Sequence, residues 1–572
     1  MEILSAGLSK RILSIFVVCA TLIALSFFFR HIAGIAITHG AYNPLVYNPS
    51  DVRTVPAPHY DYLPDDVVWD EVRAYARTTQ GFFRGEYGGP VIESYQPYVE
   101  SQLPHRRTFF RDGLGQCLLS RMAMLLGSVP SAFLLADFLF VFLLTMSLLF
   151  FCWELKQSVV FAIAATSAIL FFNWQDVLNL YFFLFRGALQ NSSFVIRTPY
   201  PQLALVVFLG FLFLLKRAVE KPGAVVALGL AIAAALNFYT YFFSWPVVGM
   251  CFFATVILLA ISPCMPVNAF HLDHATRRKA LWTVLASGAV AMALSAPVWT
   301  VYLKKTPDVV DTFLRFEGVF THRPNIKYTM LLLSLLVAVY VARRLGNEVH
   351  WIFVVLILAF LGVMNIQVIS GRTIQPNHWS SYYVQPFLML AVIHFLWRYV
   401  EKMNSRRIGF GVALLLAVGV GLNVHKFWIA ARDSQAFQTR DAAFAQLTER
   451  LRATDVVDLG FVSNDYYISQ ILPAYVPIKP LEPSYMDPLS NQEIWQLRLA
   501  AAESAGFDDW NAYADASGRS MPLEMRVEPL RFWEDRVLLV MNKHRMIPRR
   551  ALEGRCSILD NQDFLVLKPC PR

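Results

Sequence analysis

Long apolar runs separated by short polar breaks occupy the first three quarters of the chain. They fall near residues 12–30, 129–153, 157–173, 202–216, 223–242, 244–263, 280–303, 328–342, 351–370, 381–398 and 408–429. Most approach the roughly 20 residues a helix needs to cross a hydrocarbon core of about 30 Å. The pattern predicts an α-helical polytopic membrane protein with about eleven transmembrane helices. The least regular runs are 157–173, 202–216 and the abutting pair around "NFYTYFFSWP". Lys10 and Arg11 precede the first run, as charges precede a signal peptide. The run is longer than a usual h-region and has no clean small-x-small cleavage site, so it reads as a span.

Beyond residue 432 the pattern changes. "AFAQLTERLRATD" carries a helical period, "VVDLGFVSN" reads as strand then turn, "NQEIWQLRLAAAESAG" as helix, and "RVLLVMN" and "DFLVLKP" as strands. The expected organisation is a helical bundle over 1–432 and a small α/β domain over 433–572. The bundle includes a first outer loop, 38–117, built from interfacial helices. In "DDVVWDEVRAYARTTQG", Val68, Val72 and Tyr75/Ala76 recur at helical spacing, with acids at the start and Gly81 past the end. "LGQCLLSRMAMLLG" is amphipathic and too short and polar to span.

Composition agrees: 56% of the 572 residues are hydrophobic and 16% charged, against about 25% charged in soluble domains. Charge then orients the chain. With the N-terminus cytoplasmic, the inner loops hold Lys156, Lys216/Arg217/Lys221, Arg277/Arg278/Lys279, Arg343/Arg344 and Lys402/Arg406/Arg407. The positive-inside rule favours that orientation, and an odd number of spans sends the C-terminal domain outside. The expected location is the inner (plasma) membrane of a cell. The outer loop 38–117 holds ten acids against seven bases, a distribution that excludes nucleic acid as a partner. Cys556 and Cys570 are the only cysteines in the outer tail, and a disulfide between them fits an oxidising compartment.

The densest acidic cluster lies in "YDYLPDDVVWDEVR", five acids from Asp61 to Glu71. Asp65 and Asp66 suit a helix N-terminus, where carboxylates meet free N–H groups. Capping leaves Asp70 unexplained: it sits one turn from Asp66, and like charges at that spacing repel. A carboxylate cluster facing outward also suits a general base for an acceptor hydroxyl. A second constellation is "SGRTIQPNHWSSYY" between two spans. Arg372 brings a planar fork suited to phosphate oxygens, His378 can donate to phosphate or shuttle a proton, and the aromatics suit an interfacial belt. A third is "FRGALQNSSFVIRTPYPQ", where Arg186 and Arg197 lie outside with no acid in their own loop. Each of these also has a plain reading, as an interfacial anchor or a snorkelling side chain. Asp137 falls inside the second run and suits either a helix–helix hydrogen bond or a binding role. No P-loop, GxSxG, HExxH or paired CxxC occurs, which disfavours direct ATP coupling.

An acidic pair early in a large first outer loop, short inner loops, some eleven spans and an outer α/β tail resembles the GT-C superfamily of integral-membrane glycosyltransferases. The resemblance implies a polyprenyl-phosphate-linked sugar as donor, a cell-envelope glycan, lipid or protein as acceptor, and the bilayer as host. It places Asp65 or Asp66 at that fold's loop-one acidic motif, as catalytic base. Arg372, His378, Arg197, Arg186 and Asp70 then bind substrate and phosphate. No cofactor is implied; a divalent metal is compatible with the carboxylates and not required. The tail lacks a WWDxG-type signature, so the resemblance does not extend to oligosaccharyltransferases. Three other readings stand beside it. A transporter or flippase of a lipid-linked precursor predicts charges spread through the spans, where Asp137 is the main exception here. A ligase or polymerase-like enzyme consuming a lipid diphosphate predicts Arg and His in a large late loop, whereas the largest loop here is the first; a non-catalytic scaffold is the remaining reading.

Overall fold

The computed structural model describes residues 10–37, 109–172, 201–261, 272–298, 318–344, 350–433, 438–454 and 460–570, the last without 481–498 and 508–536 and with scattered single positions excepted. Every one of the eleven apolar runs carries helix. These are α1 (Lys10–Ile37), α3 (Val129–Lys156), α4 (Val159–Phe171), α5 (Gln202–Glu220), α6 (Ala224–Thr240), α7 (Ser244–Ile261), α8 (His274–Leu294), α9 (Ile326–Arg344) and α10 (Trp351–Val363) continued by α11 (Ile366–Ser370). The last two runs carry α13 (Gln385–Val400), entered through α12 (Pro376–Trp379) and a π-helical turn at Ser380–Val384, and α14 (Ser405–Asp433). The expected interfacial helix is α2 (Phe109–Leu126).

Among the described residues seven helices are long and apolar enough to cross a membrane; α4 and α6, at 13 and 17 residues, are shorter. The run read as 280–303 is displaced. Its helix starts at His274, because the Asp273 carboxylate caps it by accepting from Thr276 N–H at 2.9 Å, and it stops at a turn at Ser295. Those cap bonds hold the exposed Asp273 carboxyl below its usual range.

By compactness the chain divides into two units, Met1–Phe28 with Asp137–Leu303 and Glu317–His425, and Phe29–Ala136 with Lys304–Phe316 and Lys426–Arg572. In the first, α10 is buried on nearly every side (Trp351, Ile352, Phe353, Val355, Leu356, Ile357, Ala359, Phe360) and packs on α7, α9 and α13. A helix apolar all round belongs at the centre of a bundle. Helices α5, α6, α7 and α8 form a second packed set.

One end of this unit is closed by charge. Glu154 of α3 accepts from Lys216 at 3.1 Å and from Arg217 at 2.9 Å, while Lys216 also holds Glu220 at 2.6 Å. His350 caps α10, accepting from Ile352 N–H, and faces Glu220 at 3.6 Å. Lys216, read from the sequence among the inner-loop charges, lies inside α5. Glu154 and Lys216 are both buried, because their helices continue past the apolar run and the two charges neutralise one another at the bundle's end.

The described residues beyond 438 hold a helix and a sheet. Helix α15 (Gln438–Arg452) buries Ala443, Phe444, Leu447 and Leu451 along one stripe. A five-stranded sheet follows, from β3 (Gly460–Ser463), β4 (Lys479–Pro480), β5 (Val537–Asn542), β6 (Arg555–Asp560) and β7 (Phe564–Pro569), in the order β4-β3-β5-β7-β6. The β3 strand runs parallel to β4 and β5, and β7 pairs antiparallel to β5 and β6. All six side chains of "VLLVMN" are buried, as a central strand covered on both faces requires. Val462, Val537, Leu539, Met541 and Leu567 pack on Ala501, Ala502, Ala505 and Phe507. Cys556 and Cys570 are joined in a disulfide.

Candidate functional site

The end of the first unit opposite the charge cluster is aromatic and polar. Helix α6 begins beside the cluster, after Lys221, and ends at Thr240; 17 residues at 1.5 Å each separate the two ends by about 25 Å. Past that end, Tyr241, Phe243 and Ser244 turn the chain into α7.

Facing them is the π-helical turn. Pro386 has no N–H, and its ring would strike the Tyr382 carbonyl in a regular α-helix. The chain widens instead: Gln385 N–H donates to Ser380 O, five residues back. Such wide turns recur at functional sites. Trp379, Tyr382 and Tyr383 are buried here.

Cross-links join the two segments. The Tyr241 hydroxyl and His378 Nδ1 lie 2.6 Å apart. With Tyr241 donating, Nδ1 is the acceptor and the ring proton resides on Nε2, the tautomer that can donate to an anion. The Phe243 ring lies 4.4 Å from the imidazole centroid, and Tyr382 approaches edge-on at 5.1 Å. Trp379 Nε1–H donates to Phe243 O at 3.0 Å, pinning the loop backbone. Tyr383 Oη and Ser244 Oγ pair at 2.5 Å, and Phe208 of α5 meets the Tyr383 ring edge at 5.2 Å. The imidazole is thus oriented by the Tyr241 hydroxyl and walled by the rings of Tyr241, Phe243 and Tyr382.

The segment leading into His378 is anchored separately. Strand β1 (Gly318–Phe320) pairs antiparallel with β2 (Arg372–Ile374), with Phe320 opposite Arg372. Asn365 Oδ1 accepts from Asn325 N–H at 3.0 Å, and its amide pairs with Thr329. Gln367 donates to Arg323 O. Gly371 makes the turn between α11 and β2 at φ 71°, where a Cβ would sit 2.8 Å from His322 Nε2. Only glycine meets both demands. Arg372 therefore has a backbone fixed by strand pairing, six residues before His378.

Of the residues read from sequence, His378 lies in this nest and Arg372 on its anchored approach. Asp65, Asp66, Asp70, Arg186 and Arg197 lie outside the described residues. Asp137 is buried within α3. Tyr241, Phe243 and Ser244 were missed as partners of the His378 loop; the signal was the aromatic crowding of "NFYTYFFSWP", read only as a junction between spans. Among the described residues no group of three His, Cys, Asp or Glu is arranged to hold a metal ion.

No protein-family model matches the chain, and no curated protein does. Among solved structures it is similar to ArnT from Cupriavidus metallidurans bound to undecaprenyl phosphate. That likeness runs at 10% sequence identity and TM-score 0.47, over 94% of this chain and 97% of that one. Agreement at that level assigns neither family nor activity.

Proposed function

We propose that this chain is a membrane glycosyltransferase of the GT-C type, moving a sugar from a polyprenyl-phosphate donor to a cell-envelope glycan, lipid or protein at the outer face of the membrane. The observation that carries the reading is His378, oriented by Tyr241 and walled by aromatics at the end of a helical bundle, six residues from Arg372. A lipid monophosphate asks for such a place: apolar helices for its chain, and N–H donors where the helices end for its head.

In the proposed step Asp65 or Asp66 removes the acceptor's hydroxyl proton. The acceptor oxygen bonds to the anomeric carbon from the face opposite the phosphate, and the bond from that carbon to the phosphate oxygen breaks. Its electron pair leaves on polyprenyl phosphate, and the configuration inverts. Arg372 and His378, with Arg197 and Arg186 from the 185–202 loop, meet the charge growing on the phosphate. Asp70 contributes to substrate binding. A divalent ion at the carboxylates is compatible with this scheme and not needed by it.

The test is turnover in nanodiscs with radiolabelled polyprenyl-phosphate sugars and a membrane extract as acceptor. Labelled product that falls by about a hundredfold in His378→Ala and in Asp65→Asn or Asp66→Asn supports the reading. Undiminished product in both aspartate variants removes them as the base, and in His378→Ala removes the phosphate site. Movement of labelled lipid across the bilayer with no bond cleaved makes the chain a flippase instead.

A further inference from the structure

The C-terminal domain hides its apolar side chains well, with one local exception. Among the described residues of 438–572, the large hydrophobic side chains left exposed are Met546, at 64%, and Leu552, at 44%. Both lie in the connection from β5 to β6. The same connection, 543–553, carries Lys543, Arg545, Arg549 and Arg550 against a single acid, Glu553, with His544 besides. Lys543 pairs with Asp560, and His544 with the buried Asp563 at 2.8 Å. Arg549 and Arg550, on a short 3-10 turn, are exposed.

The loop is also rigidly presented. Asn464 Nδ2 donates to Asn542 O and Met546 O, both at 3.1 Å, and its Oδ1 accepts from Asn542 N–H at 2.7 Å. Lys543 N–H donates to Asp563 O at 2.8 Å. Met546 is thus exposed on a loop whose backbone is held in place.

The chain's connectivity says what lies within reach. Helix α14, apolar enough to span, ends at Asp433, and α15 begins at Gln438. Four intervening residues extend at most about 15 Å. A domain tethered that closely stays beside the bilayer surface. Exposed methionine and leucine flanked by arginine are what an interface-seeking loop presents: apolar tips for the headgroup–acyl boundary, guanidinium groups for phosphates.

We propose that the 543–553 loop docks the C-terminal domain onto an anionic lipid surface, with Met546 and Leu552 inserted and Arg549 and Arg550 on the headgroups. The proposal does not depend on the glycosyltransferase reading.

It is tested on the full chain in nanodiscs, with a genetically encoded solvatochromic amino acid at position 546 and, as a second and independent probe, at position 552. The discs contain phosphatidylcholine alone or mixed with phosphatidylglycerol. The expected result is a blue-shifted emission and a several-fold fall in acrylamide quenching in the anionic discs, at both positions. High salt and the Arg549→Gln/Arg550→Gln variant reverse it, with thermal unfolding of the protein unchanged. Water-like emission in both lipid compositions overturns the proposal, as does equal burial in both. A response to a soluble acidic glycan with none to lipid assigns the loop to a polymer and likewise overturns it.

Discussion

Replacing Glu154 by glutamine tests whether the charge cluster at the closed end of the bundle holds the fold together. The Glu154 carboxylate faces Lys216 at 3.1 Å and Arg217 at 2.9 Å, with side chains only 6%, 8% and 19% exposed. Removing one partner of a buried pair leaves an uncompensated charge and costs about 3–5 kcal/mol. Here Lys216 keeps Glu220, at 2.6 Å and 30% exposed, so the lower figure applies. Arg217 loses more: among the described residues its Nε is already buried without a partner, and what remains there is the Phe213 ring at 5.3 Å. A loss of about 3 kcal/mol is about a hundredfold in the unfolding equilibrium. The control is Lys156→Gln, whose pair with Glu401 at 3.9 Å is 22% and 48% exposed; such pairs contribute at most about 1 kcal/mol. Reversible unfolding in mixed micelles measures both variants, and turnover is assayed on the same preparations. Glu154→Gln is expected to unfold far more readily while keeping the turnover of its folded fraction, since the cluster is a bundle length from His378. Equal stability of the two variants refutes the argument from burial.

The other end of the bundle gives a smaller effect of a different kind. Tyr241→Phe removes the hydroxyl that orients His378 and should lower kcat/KM by about three- to tenfold with little change in thermal midpoint, as one hydrogen bond warrants; steady-state kinetics on the labelled donor decide it. Gly371→Ala forces an L side chain into φ 71° and against His322, costing about 1–2 kcal/mol from the backbone alone. A companion His322→Ala should recover only the steric part of that loss in a melting series. Burial holds the His350 imidazole below its ordinary range: it outweighs Glu220, which raises the value, and Lys216 and Arg343 lower it further. The neutral ring's stabilisation is therefore present above about pH 6.5 and lost as pH falls through the depressed folded value. His350→Gln should flatten the acid side of a melting-temperature profile. Reduction of Cys556–Cys570, 14 residues apart, frees a loop worth about 3 kcal/mol, and the C-terminal domain should then become protease-sensitive before the bundle does.

The bundle was legible because its signal is local. A run of apolar residues states its own conformation, and all eleven runs carry helix, including the short 159–171 and 224–240 segments. The same holds for "RVLLVMN" and "DFLVLKP", whose short apolar runs specify strands. What escaped is what depends on distant partners. His378 and Tyr241 are 137 residues apart, Lys216 and Glu154 are 62 apart, and nothing in either neighbourhood announces the other. Strands β1, β2 and β4 have two or three residues each, too few to show a period. They exist only because a partner strand satisfies their backbone. Asp273 shows the intermediate case: an N-cap pattern was present in "LDHATRRK" and moved the helix start six residues ahead of the apolar run.

The two ends of the first unit put opposite demands on the same helices, and the sequence answers each where it arises. Where α3 and α5 converge on Glu154, Lys216, Arg217 and Glu220, cations and anions compensate within 4 Å, so the helices cannot slide or part without exposing charge to an apolar surround. About 25 Å along α6, the contacts are hydroxyls, an imidazole, ring edges and a widened helical turn. Each contributes about 1 kcal/mol or less in net terms, little enough to be exchanged for equivalent contacts with a bound group. On the proposed function this end admits a lipid phosphate, and it has to be of this second kind, because a site already filled by strong internal ion pairs would have to break them before it could bind. That asymmetry ties the stability experiment on Glu154 to the kinetic one on Tyr241. If Tyr241→Phe unfolded the protein as Glu154→Gln is expected to, the aromatic nest would be a structural lock as well, and the proposal that His378 donates a hydrogen bond to a phosphate would lose its physical basis.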